Sequence, residues 1–224
     1  MSRGLGRRLA TNAALALLLL LAEGRQLQLA LRTQRAPVSA VLQPPSLLFA
    51  GMVLGLTVAA LGLGLGAALQ GYEPSSRVFR LLPILLAVTV FVEVFVRGST
   101  HPLMTPDREL EGALGQFAAQ ARTLGSQGQV SRDGLALQGA ADALPRPPYR
   151  VRGVLLERYR VEVRGGCAGP AEAVAGAAAG TLVYCVAPDS KRAWVGAVAL
   201  PAEEQWGLPQ IFTRAGTAVF AEVR

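Results

Sequence analysis

SLLFAGMVLGLTVAALGLGLGAALQ, residues 46–70, decides how this chain is built: 25 consecutive positions carry neither a charge nor a proline. A helix rises 1.5 Å per residue, so a segment of this length crosses a hydrocarbon core about 30 Å thick. Within it Gly51, Gly55, Ala59, Gly62 and Gly66 recur at intervals of 4, 4, 3 and 4, which lines them along one helical face. Lipid gives helices little hydrophobic drive to associate, so close backbone approach over small residues becomes a main source of attraction. The stripe is therefore expected to be a helix-packing face, whose partner is the third apolar segment, a second copy or a different protein. GLGLG at 62–66 does not read as a phosphate loop, because that fingerprint needs its glycines between a strand and a soluble helix.

Two further apolar runs flank this one. Residues 81–97, LLPILLAVTVFVEVFVR, read as a second membrane helix, with Pro83 in the first turn where its missing N–H costs least. Glu93 is the one charge inside it, four residues before Arg97 in the favourable order, and the two are expected to form a charge pair at the membrane boundary. The alternative is a functional carboxylate lining a transport path. The first run, LATNAALALLLLLA at 9–22, is short for a crossing. With Arg3, Arg7 and Arg8 before it and Ala22-Glu23-Gly24 after it, residues 1–24 read as a signal peptide or a retained signal anchor. Residues 25–45 form a polar connector with Pro37, Pro44 and Pro45, in which Arg25 to Arg35 alternates Leu with Gln and Arg and suits an interfacial position. A short loop, 71–80, joins the two later helices.

Composition agrees with a membrane protein: 51% of residues are hydrophobic and only 17% charged. The net charge of +7 sits almost wholly in residues 1–97, which hold 9 basic against 3 acidic groups, whereas residues 98–224 hold 13 against 12. Arginines flanking apolar runs orient helices and meet lipid headgroups, so lipid rather than nucleic acid is the expected partner. Topology divides two ways. An arginine-led, leucine-rich opening favours export of the chain beyond it and places the C-terminal domain outside a bacterial-type inner membrane; a count of flanking arginines favours a first run lying on the surface, with both ends cytosolic.

Residues 98–224 read as a small soluble α+β domain. Thr105 and Pro106 open a helix whose apolar face is Leu110, Leu114, Phe117, Ala118, Ala121 and Leu124. Beyond it the period changes to two: RYRVEVR (158–164), TLVYCVA (181–187), AWVGAVAL (193–200) and TAVFAEVR (217–224) read as strands, the middle pair joined by a turn at Asp189 and Ser190. One helix packed on an antiparallel sheet of four or five strands is the expected fold.

The only two cysteines, Cys167 and Cys185, bracket a glycine- and alanine-rich linker, GGCAGPAEAVAGAAAG. Their even number, the tether between them and the export-type opening make them a candidate disulfide; in a reducing cytosol they would be free thiols.

Catalytic patterns are scarce. His101, the single histidine, precedes Pro102 in a linker, and one histidine with two cysteines falls short of a zinc site. Glu203 and Glu204, beside Pro201 and Trp206, read as a solvated edge. No CxxC, HExxH, GxSxG or Walker A pattern is present, so no catalytic, cofactor or metal residue is assigned. The sequence thus points to a non-catalytic membrane protein whose domain binds or assembles with protein partners. The rivals are a thiol-redox or other enzyme using the two cysteines and a transport subunit using Glu93.

Overall fold

The computed structural model describes residues 3–72, 77–97, 105–170 and 177–224. The chain divides into two compact units, Met1–Leu31 with Gln43–Pro102, and Arg32–Leu42 with Leu103–Arg224.

The first unit is built from helices: α1 (Arg3–Arg35), α2 (Leu47–Leu69) and α3 (Leu81–Phe91), the last preceded by a 3-10 turn at Arg77–Arg80 and continued by a π turn at Val92–Arg97. Three helical stretches, Gly4–Arg35, Leu47–Leu69 and Arg77–Phe95, are long and apolar enough to cross a membrane. Contrary to the expected boundary at residue 24, α1 runs on unbroken to Arg35, so the first part of the polar connector is helix. Its Leu, Gln and Arg residues are strong helix formers, and a single Gly24 costs only about 1 kcal/mol against them. Leu5, Asn12, Ala16, Leu19 and Glu23 are buried along one face of α1. Ala16 and Leu19 meet Val53 and Ala60 of α2 and Leu82 of α3, so the first apolar run is packed among the other two helices.

Ser46 caps α2, its hydroxyl accepting from the Phe49 N–H at 3.2 Å. The buried face of α2 is Ala50, Val53, Thr57, Ala60, Gly64 and Ala67. Thr57 and Thr89 are buried, yet each hydroxyl donates to the carbonyl four residues back, on Val53 at 2.8 Å and Leu85 at 2.9 Å. Hydroxyls satisfied within their own helix cost little at membrane depth.

The second unit holds two helices, α4 (Pro106–Thr123) and α5 (Gly134–Asp142), and eleven strands among the described residues. α4 starts at the expected Thr105–Pro106 and buries Leu110, Ala113, Leu114, Phe117, Ala118 and Ala121, whereas Leu124, expected on the same face, follows the helix end and is exposed. α5 was not expected from the sequence. Two glycines in nine residues hide it, but Asp133 Oδ1 accepts the N–H groups of Leu135 and Ala136 and so caps its first turn.

The strands are β1 (Val38–Ser39), β2 (Arg150–Val151), β3 (Val154–Leu155), β4 (Arg160–Gly165), β5 (Thr181–Val186), β6 (Ala193–Ala199), β7 (Trp206–Gly207), β8 (Gln210–Ile211), β9 (Thr213–Arg214), β10 (Thr217–Ala218) and β11 (Phe220–Val223). The larger sheet has the order β11-β6-β5-β4, with β8 also on β6. It is antiparallel except for the parallel pair β4–β5, where Arg160 to Gly165 stand beside Thr181 to Val186. That pair departs from the expected all-antiparallel sheet for a topological reason: parallel neighbours need a crossover of a dozen residues or more, and the low-complexity stretch between Gly165 and Thr181 supplies it.

One face of this sheet, with Leu182, Tyr184, Val186, Val195 and Ala197, packs on α4, where Phe117 meets Tyr184 edge-on at 6.3 Å between centroids. Both sheet edges are blunted by helix side chains. Gln138 of α5 donates to Tyr159 O at 2.9 Å and accepts from Val161 N at 2.8 Å along β4, and Arg122 of α4 donates to Glu222 O at 2.7 Å on β11.

The smaller sheet, β3-β2-β1-β7, draws its inner strand β1 from the chain just after α1. Val38 pairs with Val151 on one side and Gly207 on the other. Around it, Trp206 Nε1 donates to Thr33 Oγ1 at 3.3 Å and the Arg150 guanidinium donates to Leu42 O at 3.0 Å. The two-residue turn between β2 and β3 has Arg152 at φ 49° and Gly153 at φ 80°, the left-handed pair that a tight hairpin demands. A Cβ on Gly153 would lie 3.3 Å from Gln34 Cα, so this glycine also admits the last turn of α1.

Candidate functional site

Most of the sequence-derived candidates lie among the described residues. The small-residue stripe of α2 lies roughly opposite the helix face that packs within the unit, since 100° per residue sets Gly51, Gly55, Ala59, Gly62 and Gly66 about half a turn from Val53, Ala60 and Gly64. Gly51, Gly55, Ala59 and Gly62 are exposed and Gly66 half-buried. A Cβ built on any of the four glycines meets no atom within 4 Å. The stripe therefore does not serve packing against α1 or α3, the first of the three partners left open by the sequence. Beside it an apolar recess of about 290 Å³ opens between α2 and α3, lined by Leu56, Ala59, Leu63, Leu81, Ile84 and Val88.

Cys167 and Cys185 are joined, with 6.0 Å between Cα atoms and a sequence separation of 18. The strand alternation expected from TLVYCV holds: Leu182, Tyr184 and Val186 face the helices, while Val183 and Cys185 point to the other face. There they pack with Cys167, Val198 and Trp194, and Arg192 lies over the Trp194 ring at 5.6 Å from its centroid. The bond holds the start of the crossover chain down on the outer face of the sheet. Cys185 is 0% exposed and Cys167 6%, so neither sulfur is open to an attacking thiolate.

Glu93 lies half-buried in the π turn that follows α3. The side chain of Arg97, its expected partner, lies outside the described residues, as does His101. Glu23, which the sequence places only at a cleavage-type motif, is buried at 2% exposure. The signal for it was present: Glu23 follows Leu19 by four and Ala16 by seven, on the same helical face.

In the second unit Glu203 and Glu204 are exposed as expected, and Glu203 Oε1 accepts from the Ala215 N–H at 2.5 Å in the turn between β9 and β10. Arg214 bridges Asp107 at 2.9 Å and Glu111 at 3.1 Å on α4. Burial raises the Asp107 carboxyl, but bonds from Thr105, its own backbone N–H and Arg214 outweigh it and hold the group below the usual carboxylate range.

Three tyrosines are buried in this unit. Desolvation pushes the Tyr184 phenol up to about 12 and raises Tyr149 and Tyr159 as well, with nearby negative groups adding to the effect on those two. The Tyr184 hydroxyl has no hydrogen-bond partner among the described residues. No group of three or more His, Cys, Asp or Glu placed to hold a metal occurs among the described residues. Compared with protein-family models, with curated proteins and with solved structures, the chain matches none.

Proposed function

We propose that the protein is a membrane-anchored, non-catalytic binding or assembly protein that presents its α+β unit on the extracytoplasmic side. The observation that carries this reading is the disulfide Cys167–Cys185, buried in a domain that comes after three membrane-capable helices. A bond of this kind persists in an oxidising compartment.

Chain connectivity supports the same arrangement. β1 comes three residues after α1 and pairs with β2 and β7, so the end of α1 and the domain must share one side of the membrane. α2 and α3 satisfy that as an even pair of crossings. With α1 as the remaining crossing, Arg7 and Arg8 lie in the cytosol. The burial of Ala16 and Leu19 between α2 and α3 favours a retained anchor over a cleaved or surface-lying segment.

The rivals are less well supported. A redox enzyme needs a reachable sulfur, and both are enclosed. A transport path needs polar groups facing one another, whereas Thr57 and Thr89 bond within their own helices. The outward stripe of α2 is the proposed surface for association with another copy or a partner helix.

A reporter enzyme that is active only outside the cytosol, fused after Arg224, tests the topology. Activity there with a silent cytosolic reporter is the expected result; the reverse pattern overturns the reading.

A further inference from the structure

Where α1 meets the 3-10 turn of the helical unit, and on grounds separate from the proposed function, we propose a binding site for the phosphate of an anionic phospholipid headgroup. Leu5 and Leu9 of α1, Ala67 and Ala68 of α2, and Val78 and Phe79 of the 3-10 turn pack together, which brings three separated pieces of chain to one place. Asn12 Nδ2 donates to Phe79 O at 3.2 Å and pins that turn to α1.

Exposed cations flank that contact. Arg8, Arg77 and Arg80 are exposed beside it, and among the described residues none of the three has a side-chain hydrogen bond or ion pair, whereas Arg7, at 100° per residue, leaves α1 on the side away from Leu5 and Asn12. In a 3-10 turn residues three apart eclipse one another, so Arg77 and Arg80 leave from one side while Phe79 is buried. Orienting a crossing requires positive charge near its end. It does not require Arg8 to be held next to the turn that carries Arg77 and Arg80, where like charges repel unless an anion sits among them. Guanidinium groups present paired donors that match phosphate oxygens, and at the mouth of a membrane bundle the abundant phosphate is that of lipid.

The test uses the full chain in detergent micelles, with bound lipid counted by native mass spectrometry after titration with phosphatidylglycerol, phosphatidylcholine or inorganic phosphate. Phosphatidylglycerol should be retained in preference to phosphatidylcholine, and retention should fall as salt rises. Each Arg→Gln change should weaken it about fivefold, so R77Q/R80Q should weaken it about 25-fold. R77K/R80K should keep most of it. If the 3-10 turn does not tolerate the double change, R8Q at an exposed position of α1 gives the same reading, with about a fivefold loss. Equal retention of the two lipids, unchanged retention in both glutamine variants, or a lysine variant as impaired as R77Q/R80Q overturns the proposal. Inorganic phosphate competing at the same concentration as the lipid overturns the lipid assignment.

Discussion

Replacing both cysteines by alanine should lower the stability of the α+β unit by about 3 kcal/mol. The figure comes from the 18-residue separation that the bond closes, taken through the loop-entropy relation. Alanine is preferred to serine because Cys185 is fully enclosed beside Val183 and Val198, and a hydroxyl there would be buried without a partner. The lost sulfur contacts add to the entropic figure, so it is a lower bound. For a unit of roughly 130 residues, this corresponds to a fall in midpoint of about 10 °C. Thermal unfolding of the full chain in detergent, followed by near-ultraviolet circular dichroism, measures it against wild type. A reductant added to the folded protein should act only as fast as the unit unfolds, because neither sulfur is exposed. A midpoint of C167A/C185A within about 2 °C of wild type, or two alkylated thiols in denatured, unreduced protein taken from intact membranes, would refute the reasoning. The second result would also return the domain to the cytosol.

Gly55→Leu with Gly62→Leu should leave the three-helix unit intact, since no atom lies within 4 Å of either added Cβ. The pair should nonetheless abolish association in crosslinking or gel filtration; unchanged association leaves the stripe compositional. Gln138→Ala strips partners from Tyr159 O and Val161 N and should cost about 1–3 kcal/mol in urea unfolding, whereas no loss would show that the β4 edge needs no cap. Above pH 10 the α+β unit should lose stability. The folded state holds the protons of Tyr149, Tyr159 and Tyr184 more tightly than the unfolded chain does, so the stabilisation present below pH 10 is lost as pH rises toward and beyond about 12. Each tyrosine contributes about 1.4 kcal/mol per pH unit within its window. Tyrosinate absorbance that rises for these three before circular dichroism changes would contradict it.

The long apolar helices were legible because their signal is local. Twenty-five uncharged residues can only be satisfied in lipid as a helix, whatever else the chain does. The same holds for α4 and for β4, β5, β6 and β11, where period and turn chemistry act over a few residues. The disulfide was legible as a candidate, since two cysteines flanking one tether leave a single pairing. Other features depended on contacts between residues far apart in sequence. A two-residue strand has no period, so β1 exists only because β2 and β7, more than a hundred residues later, offer it ladders on both sides. The glycine stripe shows the division most plainly. Spacing alone put Gly51, Gly55, Ala59, Gly62 and Gly66 on one face, but only the placement of α1 and α3 against Val53 and Ala60 decided that this face points away from the rest of its own unit.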